Sequence, residues 1–215
     1  MTTCLYRPFF GGALMRNYLG NLSTILLVGF GAMVTGLGTS AYASARGVPG
    51  TTRMKGDVTM GLTMTSPVFA HNGEIPTRYT CDGEDISPAL EWSGLTEGTK
   101  GLVLIVDDPD APDPAAPKMT WVHWVLYNIP GDASGLPEGV ESRALPAGTK
   151  EGLNDWKRTG YGGPCPPIGR HRYFFKLYAL DIVLPDLGNP TKKELEKAME
   201  GHILSETALV GTYQR

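Results

Sequence analysis

Histidine, aspartate and tyrosine side chains provide the most informative chemistry in this sequence. His123 lies within an otherwise apolar run, and His171 comes two residues before Tyr173. Asp108 and Asp110 flank a proline in a stiff acidic turn. A carboxylate can fix the tautomer of a buried imidazole or hold it protonated, and a protonated imidazole attracts phosphate or carboxylate groups. These residues therefore predict an anion-binding site, in which the carboxylate acts indirectly because it would itself repel an anion.

A glycine- and proline-rich stretch, residues 160–169, immediately precedes the segment of His171 and Tyr173. Backbone N–H groups of such a turn could add donors to an anion site. Each signal is weak by itself, because core histidines, acidic turns and glycine loops are common in proteins that have no such site. The interpretation depends on their combination.

The sequence contains no G-x-S-x-G, H-E-x-x-H, P-loop or C-x-x-C motif. We therefore predict a binding protein and not an enzyme, with no cofactor and no bound metal. An alternative remains in which Asp108, Asp110, His123 and His171 hold a metal or carry out acid–base chemistry.

Three apolar runs are the strongest strand candidates, and they must position these side chains. They cover residues 102–107, 121–129 and 172–180, and their composition predicts strands buried on both faces or nearly so. Alternation along the second run would place His123 on the face of Val125 and Tyr127. One helix is predicted after Thr191, which forms a capping box with Glu194, and Gly201 ends it. These elements indicate a mainly β protein, a β-sandwich of antiparallel sheets with a C-terminal helix.

Length and composition agree with one globular domain. The chain has 215 residues, is 41% hydrophobic and carries a formal charge of −3. That charge argues against binding to a nucleic acid backbone. The 28 glycines and 17 prolines suit short strands joined by tight turns.

The N-terminus has the features of a secretory signal. Residues 1–56 contain no Asp or Glu, an uncharged and mostly apolar run covers residues 22–38, and Ala41 and Ala43 fit a cleavage site before Ser44. We expect a signal peptide at 1–43, a flexible linker at 44–61 and a folded domain at 62–215. The protein would then be exported, periplasmic or secreted, and cleavage would leave no integral membrane domain. The alternative is an uncleaved N-terminal membrane anchor.

Two cysteines, Cys81 and Cys165, remain after cleavage. An even pair in an oxidising compartment is compatible with a disulfide, but the sequence leaves the distance between them open.

The ordered motifs resemble the phosphatidylethanolamine-binding protein (PEBP) family, and more narrowly its bacterial Raf-kinase-inhibitor-like branch. They are DPDAP at 108–112, WVHWV at 121–125, GYGGPCPP at 160–167 and HRY at 171–173. Shorter matches at 79–83, 86–88 and 200–204 extend the resemblance over 62–215.

The resemblance implies a β-sandwich whose pocket takes phosphate, acetate or a phospholipid head group such as phosphoethanolamine. Matched residue by residue, it implies six ligand-binding positions: Asp108, Pro112, His123, Gly163, His171 and Tyr173. We expect Asp108 to orient His123, and we expect His123, Tyr173 and the Gly163 amide to donate to the anion. His171 is expected to close the mouth.

A different class of function stays open alongside the pocket. Some members of the family are described as protease inhibitors, and the proline-rich loop 112–117 is the natural surface for a protein partner such as a protease. Residues 113–117 replace the polar or basic stretch of eukaryotic members. Kinase regulation is therefore not transferred to this chain.

Overall fold

The structure is a computed structural model that describes residues 61–215. The predicted signal peptide at 1–43, and all but the last residue of the predicted linker, lie outside the described residues. Among residues 61–215, no helix has the length and apolar character needed to cross a membrane.

Nine strands and one α-helix make up the described domain, together with two short 3₁₀ turns at Thr77–Tyr79 and Ser142–Ala144. In chain order, the strands and the helix are β1 (Thr63–Thr65), β2 (Gly73–Glu74), β3 (Leu90–Ser93), β4 (Gly101–Asp108), β5 (Trp121–Pro130), β6 (Gly135–Leu136), β7 (Lys150–Glu151), β8 (His171–Leu180), α1 (Lys192–Met199) and β9 (Ile203–Tyr213).

The strands form a large and a small sheet. The six-stranded sheet has the order β2-β9-β8-β4-β5-β7, and the three-stranded sheet has the order β1-β3-β6. All pairs are antiparallel except β2 with β9. This arrangement is the predicted mainly β fold with two sheets and a helix near the C-terminus.

Strand β4 separates two hydrophobic layers. Leu104 belongs to the core between the two sheets, whereas Ile105 belongs to the layer that includes residues of α1. Successive side chains of a strand point to opposite faces, so a fully buried strand of this kind reads as a continuous apolar run. The same alternation sends the neighbouring carboxylates Asp107 and Asp108, at the end of β4, to opposite sides of the sheet.

Asp107 is fully buried on the helix side and is neutralised by two lysines. Its Oδ2 accepts hydrogen bonds from Lys176 Nζ of β8 at 2.8 Å and from Lys192 Nζ of α1 at 2.6 Å. Burial alone would lower the pKa of Lys192, but the hydrogen bond and charge of Asp107 outweigh it, and the net pKa is raised. The cluster ties the first turn of α1 to the sheet.

The predicted strands and helix are confirmed. Helix α1 begins after Thr191, with the capping box formed by Thr191 and Glu194. The third run was expected to be buried on both faces or nearly so, and in β8 one face is buried while the other is only partly buried along most of its length. Strand β9, the longest, was not predicted, because its first half is mostly exposed and lacks an apolar pattern.

Leu195 of α1 is fully buried under the large sheet. Leu195→Ala should lower the free energy of unfolding by about 2–5 kcal/mol, because the cavity it leaves adds to the lost transfer energy. Leu204→Ala, at a partly exposed site on β9, is the matched control and should cost about 1 kcal/mol or less. Urea unfolding measures both, and equal losses would contradict the assignment of Leu195 to the core.

Candidate functional site

A cavity of about 400 Å³ lies where β4 ends, β8 begins and the loop 156–167 folds over the sheet. Its wall contains all six positions singled out from the sequence: Asp108, Pro112, His123, Gly163, His171 and Tyr173. The structure therefore brings them together, although several of their hydrogen bonds differ from those expected.

A β-bulge aims His123 into the cavity. Val106 of β4 pairs with Trp124 of β5, and the next residue, Asp107, pairs with Val122, so His123 is the extra residue on its strand. A bulge re-aims a side chain in this way. The ring of His123 consequently lies 5.2 Å from that of Tyr173, measured between centroids.

The expected face of His123 was therefore wrong. Val125 and Tyr127 pack in the helix-side layer, on the opposite side of the sheet from the cavity. Strict alternation along β5 fails because the bulge adds one residue before Trp124.

Asp108 is bound to His171 and not to His123, which corrects a second expectation. Asp108 Oδ2 lies 2.6 Å from His171 Nδ1, and the other ring nitrogen lies 3.0 Å from the carbonyl oxygen of Ile168. Both ring nitrogens therefore lie within hydrogen-bond distance of an oxygen atom. His171 is 1% exposed, so it belongs to the cavity floor and does not close the mouth as expected.

The acidic turn after β4 is fixed by its own hydrogen bonds. Asp108 Oδ1 accepts from the Asp110 amide at 2.8 Å. Asp110 in turn receives the Arg172 guanidinium at 2.7 and 2.9 Å, and these contacts lower the pKa of Asp110. Asp110 thus holds the turn in place and does not line the cavity.

His123 has one ring nitrogen occupied. Its Nδ1 donates to the Gly162 carbonyl at 2.7 Å, and the Gly162 amide donates back to the His123 carbonyl at 3.1 Å. Burial lowers the pKa of His123, and the Gly162 hydrogen bond and nearby aspartates offset this only in part. At neutral pH the ring is therefore neutral, and its Nε2 lone pair has no hydrogen-bond partner among the described residues.

The Tyr173 hydroxyl is a second polar group in the cavity wall without a hydrogen-bond partner among the described residues. Tyr173 is 1% exposed, and its hydroxyl has no hydrogen-bond partner among residues 61–215. Burial raises its pKa, as does the charge of Asp108, so the hydroxyl keeps its proton. A buried hydroxyl without a partner is costly, and the position of Tyr173 in the cavity wall makes this one available to a bound molecule.

Gly163 approaches its neighbours too closely for any side chain. A Cβ at this position would lie 2.6 Å from the Tyr79 carbonyl oxygen. Its amide, which we expected to face the ligand, donates instead to Asp85 Oδ1 at 2.6 Å. Asp85 lines the cavity and was missed, since it contacts residue 163 from a segment 78 positions earlier in the chain.

Aromatic and basic side chains form the rim. Trp156 is 41% exposed and packs edge-on against His123 and Trp121, with centroids 5.2 and 5.4 Å apart. The Arg158 guanidinium carbon lies 5.9 Å from the Trp156 ring centroid. Arg158 was also missed, because nothing in its local sequence distinguishes it from a surface arginine.

The loop expected to meet a protein partner begins in the cavity wall at Pro112 and is exposed from Ala115 to Pro117. Its use as a contact surface stays a prediction.

Among residues 61–215, no group of three or more His, Cys, Asp or Glu side chains is arranged to hold a metal ion.

Cys81 and Cys165 form a disulfide, with Cα atoms 5.4 Å apart, and both line the cavity. The bond joins the segment that carries Asp85 to the glycine-rich loop. The Cys81 amide also donates to the Pro164 carbonyl at 3.1 Å, which holds the two segments in register.

Comparison with known sequences places residues 65–214 in the family described as phosphatidylethanolamine-binding protein. A UPF0098 protein of Methanothermobacter thermautotrophicus is 50% identical over 155 residues, covering 72% of this chain and 99% of the relative. A UPF0098 protein of Pyrococcus horikoshii is 46% identical over 165 residues, covering 74% and 80%.

Two solved structures are similar over the same domain. One is described as a PEBP homolog from Chlamydia trachomatis, with a TM-score of 0.66 and 41% identity over 72% of this chain and 98% of that chain. The other, E. coli YbcL, is described as a new member of the mammalian PEBP family, with a TM-score of 0.65 and 30% identity over the same shares. The similarity therefore spans nearly the whole of both structures.

His123 should make stability depend on pH. Its folded-state pKa is lowered, so below about pH 6.5 the unfolded chain binds a proton that the folded chain rejects. The unfolding free energy should fall on acidification from that pH, by up to about 1.4 kcal/mol per unit, until the folded-state pKa is reached. Urea unfolding at pH 7 and pH 5 should show a smaller loss for His123→Asn. An equal loss would contradict a neutral buried ring.

The disulfide should stabilise the domain substantially. Its cysteines are 84 positions apart, and opening so long a loop in the unfolded chain restores much conformational freedom. The double variant Cys81→Ser, Cys165→Ser should lose about 2–5 kcal/mol of unfolding free energy. Wild-type protein under reducing conditions should match the variant, and an unchanged urea midpoint in both would contradict the expectation.

Proposed function

Since the chain belongs to the phosphatidylethanolamine-binding protein family, we propose that it is a non-catalytic binding protein whose cavity holds a small anion. Phosphate and the phosphoethanolamine head group of a phospholipid are the ligand chemistries that fit the proposal. The observation that carries it is the Tyr173 hydroxyl, buried without a partner in the wall of an open cavity.

Two groups at the floor supply the polar contacts. The Tyr173 hydroxyl donates to an anionic oxygen. His123 Nε2 accepts the proton of a hydrogen phosphate, or takes up a proton when an anion binds beside it. In both cases one proton is taken up on binding, either by His123 or by the phosphate, relative to the neutral His123 ring and the fully deprotonated anion before binding. Affinity should therefore weaken as the pH rises.

Arg158 supplies positive charge at the rim. Its guanidinium makes no side-chain hydrogen bond within residues 61–215, and its side chain is 52% exposed. An entering anion therefore meets Arg158 at the rim before it reaches Tyr173 at the floor.

The cavity wall favours anion binding, but the expected affinity is modest. Trp121 and Trp156 add apolar aromatic surface to the wall, and surroundings of low polarity strengthen electrostatic contacts. A hydrogen bond with one charged partner contributes about 1.5–3 kcal/mol net, so three contacts less ordering costs correspond to micromolar to millimolar affinity. This range suits a sensor, a carrier or a weak inhibitor.

We also propose that binding takes place outside the cytosol. The charge-free apolar run at 22–38 and the small residues before Ser44 support export, and an uncleaved anchor is the alternative. An exported protein would meet no cytosolic kinase, so the Raf-kinase-inhibitor-like resemblance does not extend to kinase control.

Tyr173→Phe tests the proposal by removing one oxygen atom. The wild-type protein should bind inorganic phosphate with millimolar or tighter affinity in an NMR titration, with shifts concentrated at His123 and Tyr173. The variant should bind about 10–150 times more weakly, the value of one hydrogen bond with a charged partner. Tyr178→Phe, which removes a hydroxyl outside the cavity, should bind like wild type.

Two outcomes would contradict the anion site. One is the absence of any shift in the wild-type protein at tens of millimolar phosphate. The other is an equal affinity in the wild-type, Tyr173→Phe and Tyr178→Phe proteins, which would remove the Tyr173 hydroxyl from the binding contacts.

A further inference from the structure

Two oppositely charged side chains meet at the cavity mouth. Asp85 Oδ2 lies 4.0 Å from Arg158 Nη2, and their side chains are 42% and 52% exposed. Both residues line the cavity. At this separation they attract each other without forming a hydrogen bond, so each keeps capacity for a ligand.

The other ionisable groups of the cavity are already committed. Asp108 and His171 are paired with each other, and His123 is a neutral ring that donates to Gly162. Asp85 and Arg158 are therefore the charged lining residues that can still respond to the charge of a ligand.

A simple anion meets opposing forces at this mouth. Arg158 attracts it, whereas Asp85 repels it and competes for Arg158. A ligand that carries an ammonium group beside its anionic group avoids the conflict, since the ammonium pairs with Asp85 while the anion approaches Arg158 and Tyr173. We propose that Asp85 is a specificity-determining residue that makes the cavity prefer anions bearing an ammonium group over simple anions. This inference rests on the proposed anion site.

Asp85 also has a structural role that must be separated from selection by charge. Its Oδ1 accepts the Gly163 amide at 2.6 Å, and its backbone is left-handed, with φ 55°. Asparagine keeps the accepting oxygen and tolerates this conformation better than most residues. Asp85→Asn therefore removes the charge and leaves the contacts of the loop in place.

The experiment compares two ligands of similar size that differ by the ammonium group. O-phosphoethanolamine and ethyl phosphate are titrated into the wild-type and Asp85→Asn proteins by NMR. Wild type should bind O-phosphoethanolamine about 2–5 times more tightly, as expected for a partly exposed ion pair. In the variant the two affinities should converge, and ethyl phosphate should bind more tightly than it does to wild type.

Asp113→Asn is the matched control. Asp113 accepts the Ala115 amide at 2.9 Å on the loop after β4 but does not line the cavity. The control makes the same change in net charge, and it should keep the wild-type preference. Loss of the preference in both variants would attribute it to overall charge and overturn the role of Asp85.

Each remaining outcome has a definite meaning. Equal affinities for the two ligands in wild type, or an unchanged ratio in Asp85→Asn, would overturn the inference while leaving the anion site intact. Failure of both ligands to bind wild type would overturn the proposed function itself. With the preference established, sedimentation with vesicles of phosphatidylethanolamine assigns it to a lipid head group, and retention in the supernatant assigns it to a free amino phosphate.

Discussion

The buried pair of Asp108 and His171 is the interaction on which the site depends. Burying two such polar side chains is costly unless their remaining hydrogen-bonding atoms also find partners. The Asp110 amide and the Ile168 carbonyl meet that need, so the turn after β4 and the loop before β8 must both close around the pair. The cavity is the space left between these two constrained segments.

Much of the fold could be predicted because burial leaves a local pattern. The continuous apolar runs of β4 and β5 and the capping box at Thr191 each reflect one element and its immediate neighbours. Two features have no such local pattern. The first half of strand β9 is mostly exposed. The bulge at His123 reads as a regular strand in the sequence, because the extra residue is defined only by the pairing of β5 with β4.

The site follows the same division. The resemblance to a family predicted six residues that line the cavity, but it did not predict which hydrogen bonds they form. Asp108 contacts His171 and not His123. The bulge in β5 turns the His123 ring toward Gly162, whereas His171 keeps regular strand pairing at the start of β8 and its ring contacts Asp108. Asp85 and Arg158 were not predicted, because they reach the cavity through contacts between segments far apart in the chain. The hydrophobic periodicity of a sequence carries no information about such contacts.

The disulfide has a topological consequence for the intact molecule. Cys81 and Cys165 enclose β3 to β7 in a covalent ring, while β8, α1 and β9 lie in the tail that follows it. A single cut by a protease anywhere in the ring opens it without dividing the molecule, because the two pieces stay joined through sulfur. The nicked protein would migrate as one species on a non-reducing gel and separate only after reduction. Exposed ring loops such as 137–149 can thus be cleaved without releasing either half.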